Sequence, residues 1–128
     1  MKRDMDLIRN LLLTLESSDR DPNKPMPLSS KDADLELEGY TSEQVDYHVM
    51  LLYEAGFIRH HGVHEGEVVF SRLSWEGHEF LDAIRDPEVW KKTKEGASKV
   101  GGFGVGLIKD LATGYIKHMA KEKLGFEI

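Results

Sequence analysis

Apolar residues recur at spacings of three and four near the start of the chain, at Met5, Ile8, Leu11, Leu12 and Leu15. That period places them on one side of a helix. Asp4 stands where an N-cap belongs, and Ser17-Ser18-Asp19 ends the pattern. A proline-rich, polar stretch follows and reads as a long loop over 17–33. In 34–40, DLELEGY, Leu35 and Leu37 alternate with acids, which predicts a short strand turning at Gly39. Thr41-Ser42-Glu43-Gln44 has the form of a capping box, so a helix begins there. Val45, Val49 and Leu52 form its inward stripe, and Ala55-Gly56 stops it.

Residues 58–64 and 67–73 predict two strands joined by a turn at Glu65-Gly66. Ser74 caps a further helix, with Leu73, Gly77, Phe80, Leu81 and Ile84 facing inward. Pro87 ends that helix or starts the next turn. KKTKEGASKVGGFGVG is rich in lysine and then glycine, and predicts a mobile hinge over 91–106. The helical period returns in 107–128, where Ile108, Leu111, Ala112, Tyr115, Ile116 and Met119 form a broad stripe.

This order of elements is that of an α+β winged helix over residues 1–90, with an extra amphipathic helix at the end. The helix normally preceding the recognition helix is missing or reduced to the 34–40 strand. The segments MKRDMDLIR, LEGYTSEQVDYHVMLLYEAGFI and RLSWEGHEFLDAIRDPEVWKKTKE resemble an uncharacterised bacterial and prophage family known only as a domain of unknown function. The resemblance covers nearly the whole chain, including its LGF ending. It implies a winged-helix-like core and frequent association with phages, and brings no catalytic residues.

Charge changes the picture more than composition does. Net charge is -6 overall, but residues 28–90 carry four basic and fourteen acidic side chains. Residues 91–128 carry eight lysines against four acids. The middle of the chain therefore repels a polyanion, while its end tolerates one. With no cysteine, disulfides are excluded and a reducing cytoplasm is the expected compartment. The acids in MKRDMDLIRN argue against a signal peptide, and no apolar run is long enough to span a membrane.

A winged helix reads DNA through the outward side of its recognition helix, helped by cations on phosphates. Here that side offers Glu43, Asp46, Tyr47 and Met50, with Gln44 beside them. The available cations are Lys31, Arg59, Arg72 and the wing histidines His60, His61 and His64. Acids with Tyr and Met suit a basic protein partner better than a phosphate backbone. The expected function is thus docking of this helix and wing onto a protein partner in a regulatory role. The alternative is a transcriptional regulator contacting DNA with Gln44, Tyr47, Arg59 and Arg72.

No catalytic constellation is visible and no cofactor is expected. G-x-S-x-G and H-E-x-x-H are absent. Gly101 and Gly106 have the outer spacing of a phosphate loop, but Leu107 stands where lysine is needed. Six histidines raise a metal question. On a strand, His60 and His61 face opposite sides, and His60 and His64 lie roughly 13 Å apart, too far to share one ion. No metal site is expected, and His48 reads as a satisfied residue on the packed side of its helix. The terminal stripe needs a cover. Its own domain, a second copy or a membrane surface could supply one: a symmetric dimer through Leu111, Tyr115, Ile116 and Met119 is the leading expectation, and an anionic membrane surface is a third choice.

Overall fold

Asp4 opens the first helix, as its place before the apolar stripe predicts. In the computed structural model, which describes residues 1–125, its side chain accepts hydrogen bonds from the backbone N–H groups of Asp6 and Leu7. Helix α1 spans Met5–Ser17 and buries Met5, Leu7, Ile8, Leu11, Leu12 and Leu15. Helix α2, Ser42–Ala55, starts at the anticipated capping box: Thr41 caps Gln44, and the Gln44 side chain returns the bond to the Thr41 N–H. Its buried stripe is Val45, His48, Val49 and Leu52.

Strands β2 (Ile58–His64) and β3 (Glu67–Leu73) form the predicted antiparallel hairpin. Glu65 and Gly66 both adopt positive φ, 51° and 80°. Two left-handed central residues make a type I′ turn, whose twist matches that of the flanking strands. The register slips near His60 and again before Val63, so the hairpin carries bulges close to its middle.

Two readings of the first half of the chain are corrected. Residues 34–40 form no strand; Ala33–Leu35 is a single 3-10 turn that buries Leu35. Polar bonding explains it. Arg20 Nη2 bridges Asp32 and Asp34 at 3.1 and 2.8 Å, and Asp32 accepts the Ser29 N–H. Local side-chain bonds of this kind compete with a strand ladder. The third strand lies instead inside the predicted 17–33 loop. Strand β1, Met26–Pro27, pairs antiparallel with β3, giving the order β1-β3-β2. Leu28 N–H donates to Val68 O at 2.8 Å and the Ser71 hydroxyl to Pro22 O at 2.8 Å, extending that edge. Proline is tolerated there because an edge strand has N–H groups that need no partner.

Helix α3, Trp75–Ile84, is capped by Ser74, whose hydroxyl accepts the Gly77 N–H and donates to Gly56 O. Gly77 is required for a close approach. A Cβ there would lie 2.1 Å from the Phe57 carbonyl oxygen. Phe80, Leu81 and Ile84 are buried, in line with the predicted face.

The chain divides into two compact units, Met1–His78 and the residues from Glu79 onward. In the second unit the hinge expected over 91–106 is largely helix. Helix α4 spans Pro87–Lys99, and Asp86 caps it by accepting from Glu88 and Val89 N–H. Val89, Trp90, Thr93 and Ala97 are buried at helical spacing, a stripe that the surrounding lysines hide from a compositional reading. Only Val100–Gly104 connects α4 to helix α5, Val105–Leu124, which Gly125 terminates in a left-handed conformation. Phe126 of the LGF ending, and the rest of the terminal segment to residue 128, lie outside the described residues.

His48 ties the first unit together. It is 1% exposed. Its Nε2 accepts the Asp4 N–H at 2.8 Å, so Nδ1 carries the proton and donates to Gln44 O at 2.7 Å. The Tyr40 hydroxyl bonds to the Asp4 side chain. Burial, and then the charges of Asp4 and Asp6, push the Tyr40 phenol above its ordinary value.

Gly77→Ala should destabilise by about 2–3 kcal/mol in denaturant unfolding, because a backbone carbonyl must move. Gly96→Ala should stay within about 1 kcal/mol, since the nearest obstacle is the far end of a side chain, the Tyr115 hydroxyl 2.9 Å away, and alanine favours a helix. His48→Leu should cost about 2 kcal/mol by leaving the partly buried Asp4 N–H without its partner; unchanged stability would contradict the link. Because folding raises the Tyr40 value, its contribution is complete below about pH 10 and is lost as pH climbs through the folded value. Ultraviolet titration should show one tyrosine ionising late, and Asp4→Asn should bring it back toward normal.

Candidate functional site

The capping box and buried stripe of α2 decide which of its side chains face outward. Val45, His48, Val49 and Leu52 point inward, which leaves Glu43, Asp46 and Tyr47 exposed and Met50 half-buried. Tyr47 is 40% exposed and meets the His48 ring edge to face. No Lys or Arg occurs anywhere in α2.

Asp46 is held in place. Its carboxylate accepts from both the N–H and the hydroxyl of Ser30, each at 2.9 Å. Beside it a cleft of about 130 Å³ opens between α2 and the tip of the β2–β3 hairpin. Buried Leu28, Val49 and Val68 form its floor, and Met50 stands at its edge. Asp46 and Glu67 supply carboxylates on its two sides. The volume is below that of a site for a drug-sized ligand, and suits one side chain of a partner. On the other side of Ser30, Glu36 and Glu38 border a second, open depression with Ser42 and Val45. An acidic surface thus runs from the 36–38 segment across α2 to the hairpin turn.

The other sequence-derived candidates lie elsewhere. The Gln44 side chain is occupied by the cap. Arg59 and Arg72 face each other in the ladder. The neighbouring pair, Ile58 and Leu73, is buried, so strand alternation turns both arginines to the opposite face. His60 lies on the Ile58 side, its ring 4.5 Å from that of Tyr53 in α2. Arg72 donates to Leu73 O at 3.0 Å. His61 is exposed within the bulged stretch. Hence Glu43, Asp46, Tyr47 and Met50 share one surface, while Arg59 and Arg72 share another. Among the described residues, no group of three or more His, Asp or Glu is placed to hold a metal ion.

Sequence reasoning missed Glu67, Glu36 and Glu38 as members of the acidic surface. Only Glu67 had a signal, its place directly after the hairpin turn. The two others join the surface through the Ser30–Asp46 bonds, which sequence spacing does not announce.

In the second unit, Leu111 and Tyr115 of the expected dimer stripe lie against α4. A Cβ on Gly96 would be 3.5 Å from Leu111 Cδ1 and 2.9 Å from the Tyr115 hydroxyl. Ile116 is 39% exposed and Met119 half-buried. Intramolecular packing therefore already uses half of the stripe.

Comparisons with known proteins support the resemblance to a family of unknown function. The chain is 36% identical over 123 residues to an uncharacterized protein of Haemophilus influenzae, covering 93% of this chain and 98% of that relative. No solved structure matches it. The family model described as "Hypothetical protein (DUF2513)" matches residues 2–104. The chain therefore belongs to the DUF2513 family.

Proposed function

We propose that the first unit is a winged-helix-type binding module, in which α2 takes the place of the recognition helix and β2–β3 that of the wing. The order β1-β3-β2 supports this reading, as does the 3-10 turn at the place of the missing helix. The module acts without catalysis. It docks the α2–wing surface onto a protein partner that presents a lysine- or arginine-bearing segment, in a regulatory role of the phage type.

The carrying observation is the cleft flanked by Asp46 and Glu67 on a helix with no cation of its own. A phosphate brought to the cleft meets the carboxylates of Asp46 and Glu67, and each adds repulsion. A basic side chain meets the same groups as partners, with Met50 and Tyr47 supplying contact area. The arginines that would position a DNA backbone face the other way.

The test compares two probes. A short Lys/Arg peptide should shift the amide resonances of Glu43, Tyr47, Met50 and Glu67 in an NMR titration. The double variant Glu43→Lys, Glu67→Lys should weaken that binding by about tenfold or more, through like-charge opposition. Mixed duplex DNA should leave these resonances unmoved even at low salt. Steeply salt-dependent DNA binding, lost on Arg59→Ala and Arg72→Ala, would overturn the reading in favour of a DNA-binding regulator.

A further inference from the structure

Arg59 and Arg72 are registered directly opposite each other on β2 and β3, and both are exposed. Facing residues on adjacent strands have Cα atoms about 5 Å apart, so two positive charges are held side by side where a ladder favours opposite signs. Arg72 donates to Leu73 O at 3.0 Å, which occupies one N–H of its guanidinium. Among the described residues, no carboxylate lies within ion-pair distance of either arginine. Strand β2, IRHHGVH, contains no acid. The hairpin's own acids, Glu65 and Glu67, stand at its other end, beside and opposite His64. Trp75 follows Arg72 closely in the chain, which keeps their Cα atoms within about 11 Å. It is 74% exposed, although an indole of that size gains from burial. The acids next nearest in sequence are Glu54, near the end of α2, and Glu76, which favours the first turn of α3; both are exposed.

We propose that Arg59, Arg72 and Trp75 form a second docking surface, which takes an acidic segment of a partner protein. A carboxylate of that segment accepts from both guanidinium groups and removes the repulsion between them, while the indole covers the neighbouring part of the segment. Arginine and tryptophan are the residue types enriched where interfaces concentrate their energy. Charge selects the occupant. The cationic strip is one pair wide, and Glu54 and Glu76 follow it in sequence on either side. A nucleic-acid backbone carries a phosphate at every step, so the next steps meet those carboxylates. A peptide carries negative charge only where its side chains place it. Two copies meeting through this same surface would set arginine against arginine. The opposed arginines weaken the free protein slightly, and binding relieves the strain. The two arginines lie on the sheet face opposite the one that packs on α2, so the proposal stands independently of the Asp46–Glu67 cleft.

The test uses the full chain and a short synthetic peptide of alternating Glu and Ala, with alternating Gln and Ala as the control. Intrinsic fluorescence reads it, because Trp75 is exposed whereas Trp90 is only 4% exposed. The Glu peptide should shift the indole emission to the blue, and added salt should weaken its binding. The double variant Arg59→Gln, Arg72→Gln should weaken that binding about tenfold or more. Its denaturant midpoint should equal or exceed that of the wild type, since a like-charge pair is removed. Unchanged binding by the double variant would overturn the proposal, as would equal binding of the Gln peptide or a shift that survives Trp75→Phe. A lowered midpoint would also overturn it, by giving the arginines a structural role. Duplex DNA that displaces the Glu peptide would assign the surface to nucleic acid, and a blue shift with protein concentration alone would assign it to a second copy. Failure of the Glu peptide to bind would overturn this proposal and leave the cleft reading intact, since that reading is probed with a basic peptide.

Discussion

The hydrogen bond from the Asp4 N–H to His48 is the constraint on which the first unit turns. It joins the start of α1 to the middle of α2 across 44 positions of sequence. Asp4 also caps α1 and receives the Tyr40 hydroxyl, so one residue holds three segments. A buried imidazole with both nitrogens engaged cannot rotate without losing a bond. The roll of α2 about its own axis is therefore fixed. That roll decides that Glu43, Asp46 and Tyr47 face outward, and so it decides what kind of molecule the helix can meet.

Charge is then sorted by secondary structure. In the first unit, strand alternation sends Arg59 and Arg72 to one face of the sheet, while the helical period and the Ser30–Asp46 bonds gather carboxylates around α2. Like charges placed opposite in a ladder are unfavourable, so the arginine pair is not explained by stability. In the second unit the lysines stand outside a small apolar stripe. A chain of modest net charge thus offers surfaces of both signs, and its net value alone says little about its partners.

Much of the fold was legible in the sequence where a local signal and a tertiary need agree. The α1 stripe, the Thr41–Gln44 capping box, the hairpin turn at Glu65-Gly66 and the close approach at Gly77 each have one physical cause that is visible locally. The failures have a common cause too. Strand β1 is two residues long and exists because β3 offers an edge, so nothing in Met26–Pro27 announces it. The 34–40 alternation was real, but Leu35 and Glu36 donate their N–H groups to Asp32 and Ala33 in a tight turn, and Arg20 holds the side chains of Asp32 and Asp34 beside it. Helix α4 was obscured by lysines around Val89, Trp90, Thr93 and Ala97. For the candidate site, the outward side of α2 was readable from its period. The separation of Arg59 and Arg72 from it required the register of the sheet.

The central claim is that the outward side of α2 meets a basic segment of a protein. A photo-crosslinking amino acid at Tyr47, expressed in the native cell, tests it most directly. The account predicts an adduct with a protein, joined within a stretch rich in lysine or arginine. A crosslink to DNA, or to an acidic stretch, would contradict it.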